Sequence, residues 1–294
     1  MGAEQIKRIR LKANASFSIR EGWLTKGLRH VSRSPDVFQE EKGIETLGIG
    51  SAMVKSLRFW MQAAGLTVEG KPKGGGKLVQ TLSELGQLIY QNDLYFEDYF
   101  SLCVVHYHIV SNPEMATVWY LMFNHYPPSR FTKDDLSETL IKTLQEMTEK
   151  EFAPASFRDD CATALKTYVA DHEKQASPEE NMQCPLASLE LLTKTARSTY
   201  ERTTPPVSKL HALAVLYVIL SQMKGRDSIS LDKLLVEPCN VGKVFHLTPY
   251  RLNAYLDELQ AGGYLTIQRT AGLNMVYPTA GLTALGIAQE YYGR

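Results

Sequence analysis

The same order of segments occurs twice in this chain, once near each end, and it limits the possible folds more than any other feature. In REGWLTKGLRHVSR, Trp23, Leu24, Leu28 and Val31 recur at helical spacing. Ser34-Pro35-Asp36 then reads as an N-cap with proline at the first helical position, opening a short helix that Gly43 ends. A turn, IETLGIG, leads to SAMVKSLRFWMQAAG, an amphipathic helix with Met53, Val54, Leu57, Trp60 and Met61 on one stripe and a stop at Gly65. Leu66-Thr67-Val68 reads as a strand, KPKGGGK as a flexible tip, LVQT as the returning strand and SELGQLIY as a closing helix. This is the order of a winged helix–turn–helix.

The second copy begins with HALAVLYVILSQM, apolar on nearly every side and so a buried helix. Ser228-Ile229-Ser230 is a short strand and LDKLLVE a short helix. Thr248 caps TPYRLNAYLDELQAGG with Pro249 in its first turn. YLTIQRT and MVYPT are strands joined by an AGLN turn, and LTALGIAQEYY is the last helix. AAGLTV matches AGGYLTI, and ELGQLI matches ALGIAQ.

Between the copies the chain reads as mostly helical. LYFEDYFSLCVVHYHIV is an aromatic-rich buried helix, and Pro113 opens PEMATVWYLMFNHY. Thr132 caps KDDLSETLIKTLQEMTEK, and Ser156 caps FRDDCATALKTYVAD. HEKQASPEENMQ is a polar loop, and TTPP marks a boundary. The expected fold is therefore mainly α with small β-hairpins. Winged helix–turn–helix units at the N and C termini would flank a helical middle. The expected divisions are 1–92 with a basic arm, 93–205, and 206–294.

Charge adds what periodicity cannot. The chain has 32 Lys+Arg and 32 Asp+Glu, a formal net charge of zero. Residues 1–92 carry 14 basic and 8 acidic side chains, 93–205 carry 10 and 18, and 206–294 carry 8 and 6. A basic head and an acidic middle offer two docking surfaces, one for a polyanion and one for a more basic protein. The alternative is that the two simply face each other. No apolar run approaches a membrane span, and MGAEQIKRIRLKANASF has no apolar core of a signal peptide, so a cytoplasmic chain with a solvated arm is expected. Cys103, Cys161, Cys184 and Cys239 are widely spaced, which favours reduced thiols.

The best site candidate is the first winged helix. Ser51, Lys55 and Arg58 recur at four and three residues, opposite the apolar stripe. The tip adds Lys71, Lys73 and Lys77, and its glycines allow close backbone approach to a sugar–phosphate chain. These five cations would neutralise about 3–5 phosphates of double-stranded DNA. KPKGGGK lacks the GxxxxGK[ST] spacing of a phosphate loop and joins two strands, which argues against nucleotide binding. In the second copy Arg251 and Arg269 are the candidates, but Asp257 and Glu258 would repel a backbone, so a protein contact is an even alternative there.

Other groups carry less. His106 and His108 lie two apart and do not share a helix face, so each, like His125, is better read as a satisfied buried histidine. Cys161 and Cys184 could converge as ligands or a redox pair, but no third ligand is visible. The acidic run from Asp134 to Glu151 has the spacing of a solvated helix face. No GxSxG, HExxH or Walker motif is present, so no enzyme, cofactor or metal is expected, although catalytic groups can converge from distant positions.

Five blocks in order, REGWLTKGL, LGIGSAMVKSLRFW, NPEMATVWYLMFNHY, SFRDDCATALKTYV and CPLASLELL, resemble the bacterial domain-of-unknown-function family numbered 4007. The resemblance runs from about Phe17 to the C-terminus. It implies a neighbourhood rather than a chemistry. Members are usually encoded beside a phosphoadenosine-phosphosulfate-reductase-like protein and near DNA phosphorothioation and phage-defence genes, and no catalytic residue is implied. The expected function is a DNA-binding accessory or regulatory protein of such a system, with a protein partner from the same operon. The alternatives are a winged-helix adaptor that binds a partner, such as a sulfur-transfer enzyme, without touching DNA, and a nuclease or sulfur-handling enzyme using the cysteines or the acidic run.

Overall fold

The computed structural model describes residues 5–72, 74–170, 183–196, 198–270 and 273–294. About half of them are helical, and the strands form three small antiparallel sheets. The N-terminal third runs α1 (Trp23–Arg33), α2 (Glu40–Leu47), α3 (Ser51–Ala63), the hairpin β1 (Thr67–Gly70) and β2 (Val79–Leu82), and α4 (Glu84–Asn92). The middle runs α5 (Tyr99–Val110), α6 (Thr117–Asn124), β3 (Arg130–Thr132), α7 (Lys133–Met147) and α8 (Pro154–Tyr168). It ends in a 3-10 helix over Pro185–Leu189, β4 (Leu192–Ala196) and β5 (Thr199–Arg202). The last third runs α9 (Ala212–Met223), β6 (Ile229–Ser230), α10 (Leu231–Val236), α11 (Val241–Val244), α12 (Pro249–Ala261), β7 (Leu265–Thr270), β8 (Leu273–Pro278) and α13 (Ala284–Tyr292). No helix among the described residues is long and apolar enough to cross a membrane.

The repeat extends to single hydrogen bonds. α3 and α12 both end on a left-handed glycine, Gly65 at φ 71° and Gly263 at φ 79°. Leu66 N–H donates back to Met61 O, and Tyr264 N–H donates to Leu259 O, each at 3.0 Å. This closure satisfies carbonyls that a helix end otherwise leaves open. The strand that returns is tied to the same turn in both copies. Ser83 Oγ donates to Gly65 O, and Thr279 Oγ1 donates to Gly263 O. Ser83 then caps α4 at Gly86 N–H, and Thr283 caps α13 at Gly286 N–H. Gly86 is obligatory, because a Cβ there would lie 1.9 Å from Leu66 O.

Several local expectations change. Gly43 does not end α2 but lies inside it, where a Cβ would lie 2.7 Å from Val54 Cγ1. Gly48, at φ 62°, ends the helix instead. Residues 112–116 form a turn, so α6 starts at Thr117 rather than at Pro113. Ser156 lies inside α8, which starts at Pro154 with Ala153 as its cap residue. The middle also holds an unexpected sheet in the order β3-β5-β4. The polar loop falls, except for Gln183, outside the described residues, as does the start of the AGLN turn.

The arm is not solvated. Its backbone crosses α6, α7 and α8: Ile6 N–H donates to Met147 O, Arg10 N–H to Thr117 Oγ1, and Lys12 N–H to Asp160 Oδ2. Ile6 and Ile19 are buried, and that burial is the physical reason the arm docks despite its charges. One apolar core runs through all three segments. Trp60 of α3 meets Trp119 of α6 edge-on at 5.1 Å, and Phe100 of α5 stacks on Tyr291 of α13 at 4.0 Å.

Under the arm, burial pushes the Asp160 carboxyl up to about 6, with neighbouring Asp159 adding to the shift, while Lys12 N–H and the Lys12 charge oppose it. The folded chain therefore holds a proton there that the unfolded chain has released above about pH 4. This contribution to stability is fully present below pH 4 and is lost as pH rises through 6. Urea unfolding from pH 4 to 8 is expected to show a wild-type decline of about 2–3 kcal/mol relative to Asp160→Asn. Parallel curves for the two proteins would contradict it.

Candidate nucleic-acid interface

Gly50, in an extended conformation, lets α3 begin abruptly at Ser51. Its inner stripe of Val54, Leu57, Trp60 and Met61 is buried, which turns the Ser51–Lys55–Arg58 face outward. That face forms one wall of a groove of about 520 Å³, and Lys77 and Leu78 of the hairpin form the other. Phe38 and Val54 contribute apolar surface, and Gln39 adds an amide. Four of the expected residues, Ser51, Lys55, Arg58 and Lys77, thus line one groove. Lys71 is exposed at the start of the tip, and Lys73 lies outside the described residues. Gly74, Gly75 and Gly76 have φ of 108°, 86° and 116°, a run of conformations that side chains other than glycine disfavour.

Sequence spacing did not reveal Glu69. On β1 it meets Arg58 side-on, with Oε2 2.7 Å from Nε and 2.5 Å from Nη2. An acidic residue on the strand beside a basic helix face was the available signal. Phe38 and Gln39 were missed for another reason: they lie in the turn before α2, which helical periodicity does not describe.

The basic head is divided between the two readings that its charge left open. On the arm, Lys12 Nζ pairs with Asp159 of the acidic middle at 2.6 Å. Lys71 and Lys77 are exposed on the tip and the groove.

In the C-terminal copy both candidate arginines are engaged within the chain. Arg251 donates from Nη1 to Pro205 O at 2.9 Å, and Arg269 Nη2 pairs with Asp257 Oδ1 at 2.7 Å. No lining residue of the groove comes from this copy. Beside Arg251, Tyr250 projects from the start of α12 and is 85% exposed.

The three candidate histidines are satisfied, His106 fully buried and His108 and His125 partly so. His106 Nδ1 meets Tyr168 OH and Nε2 meets Val244 O, each at 2.8 Å, and burial lowers its pKa to about 4. His108 Nε2 meets Tyr217 OH at 2.9 Å and is likewise lowered to about 4. His125 Nε2 meets Tyr120 OH at 3.0 Å. All four cysteines are buried, and burial pushes the Cys161 thiol up and that of Cys184 up to about 12, which keeps both protonated at neutral pH. Among the described residues no group of three or more His, Cys, Asp or Glu is placed to hold a metal ion.

No curated protein matches the chain. Solved structures do, among them two of SspB. One is a magnesium ion-bound SspB crystal structure, 25% identical with a TM-score of 0.88, and the other an SspB crystal structure, 25% identical with a TM-score of 0.86. Each match covers 99% of this chain and 89% of that chain, so the shared architecture extends over nearly the whole chain. The profile of one sequence family, described as protein of unknown function (DUF4007), spans residues 13–292. The chain belongs to that family.

Proposed function

We propose that the chain is a cytoplasmic, DNA-binding accessory subunit of a bacterial DNA-modification or phage-defence system. Its N-terminal unit acts as a winged helix. α3 enters a groove of the duplex, and the glycine tip tracks the backbone with Lys71, Lys73 and Lys77. The observation that carries the reading is the single groove in which α3 and the hairpin present Ser51, Lys55, Arg58 and Lys77 together. The likeness to SspB and membership of the DUF4007 family support the setting.

The C-terminal unit is read as a second winged helix that docks a protein. This follows from Arg251 and Arg269 being engaged internally while Tyr250 and Val236, 85% and 64% exposed, offer apolar contact. The acidic middle suits a more basic partner from the same system.

Duplex binding measured by fluorescence anisotropy over a range of salt concentrations tests the proposal. The expected result is a linear fall of log K with log salt at a slope of about −3 to −5, matching roughly 3–5 neutralised phosphates. Absence of binding at 50 mM salt, or a slope near zero, would sink it.

A further inference from the structure

The groove wall carries a contact that looks unfavourable for a DNA reader. Arg58 is already held by a carboxylate, and the pair is partly covered, with side-chain exposures of 35% and 22%. Only one carboxylate oxygen is used. Oε2 accepts from Arg58 Nε at 2.7 Å and lies 2.5 Å from Nη2, and Gln62 Nε2 donates to the same oxygen at 3.4 Å. A phosphate can offer the guanidinium two oxygens in place of one, with the fork geometry that arginine recognises best.

The surroundings keep the pair separable. Gln80 Nε2 donates to Arg58 O at 3.0 Å, and Gln80 Oε1 accepts from Thr67 Oγ1 at 2.8 Å. These bonds fix α3 to β1 and β2 through the backbone and a buried amide. Arg58 and Glu69 can therefore part by side-chain rotation while the helix and hairpin keep their relative position.

We propose that Glu69 is an intramolecular stand-in for a DNA phosphate, which holds Arg58 on the groove wall and yields it only to a backbone that also engages Lys55 and Lys77. An isolated phosphate would have to replace Glu69 with no other gain. A duplex brings further phosphates to Lys55 and Lys77, and their release of counterions offsets the loss of the pair. Glu69 thus selects an extended polyanion over single anions. This rests on the DNA-binding reading above.

The experiment is a four-member cycle of wild type, Glu69→Gln, Arg58→Ala and the double variant. Each is titrated with a duplex at several salt concentrations, and each melt is recorded to confirm folding. Glu69→Gln keeps the side-chain shape and removes the charge. It is expected to tighten duplex binding about tenfold at 0.1 M salt and to steepen the salt slope by about one unit, the effect of one more neutralised phosphate. In the Arg58→Ala background the same change is expected to give no gain. An equal gain in both backgrounds would mean a long-range charge effect and would overturn the inference. So would unchanged binding by folded Glu69→Gln while the wild type binds. Failure of the wild type to bind would overturn the DNA reading itself, and this inference with it.

Discussion

Replacing Lys55, Lys71 and Lys77 together with alanine is expected to weaken duplex binding by roughly a hundredfold or more at 0.1 M salt and to flatten the salt slope by about three units. Each lysine removed takes away one neutralised phosphate, and with it the release of about one counterion. All three side chains are exposed, and substitutions at exposed positions usually cost little, so the melting temperature is expected to stay within a few degrees. The matched control is Arg251→Ala with Arg269→Ala. Those arginines are held by Pro205 O and by Asp257, so the double variant is expected to change affinity by less than about threefold. Equal losses in the two variants would move the interface away from α3.

The second large effect is on the scaffold behind that face. Trp60→Ala is expected to lower the unfolding free energy by about 4–6 kcal/mol in urea titrations. Trp60 is fully buried, with Phe59 and Trp119 edge-on to it at 4.9 and 5.1 Å. Its Nε1 also donates to Phe17 O at 2.9 Å. Truncation would leave a cavity and an unpaired carbonyl at the point where the arm, α3 and α6 meet. A domain's total stability is about 5–15 kcal/mol, so the variant would be close to unfolding at ambient temperature. Trp60→Phe, which retains most of the buried surface, is expected to lose less than half as much. A loss below about 1.5 kcal/mol in Trp60→Ala would show that the N-terminal unit does not share its core with the middle.

How much of this was legible in sequence depended on the range of the interaction. Caps and glycine turns act over four or five residues, so Thr132, Thr248 and Gly65 could be read directly. The Ser51–Lys55–Arg58 face was legible because helical spacing fixes it. The sheet β3-β5-β4 was not. Its strands are three to five residues long, and β4 and β5 show no alternation of buried and exposed positions. The docked arm was not legible either, because Ile6 finds its partners on α7, more than 140 residues away. Gly43 was misread because the same residue serves both to end helices and to allow close packing, and only the neighbouring Val54 distinguishes the two uses. The Arg58–Glu69 pair sits across a helix–strand corner that neither the 3.6-residue nor the two-residue period describes.

The central claim is that the N-terminal copy, not the C-terminal one, holds DNA. Hydrogen–deuterium exchange with and without a saturating duplex tests it most directly. Slowed exchange is expected in residues 51–63 and 70–79, with little change in 249–270. Protection confined to 249–270, or none anywhere while the duplex is bound, would contradict it.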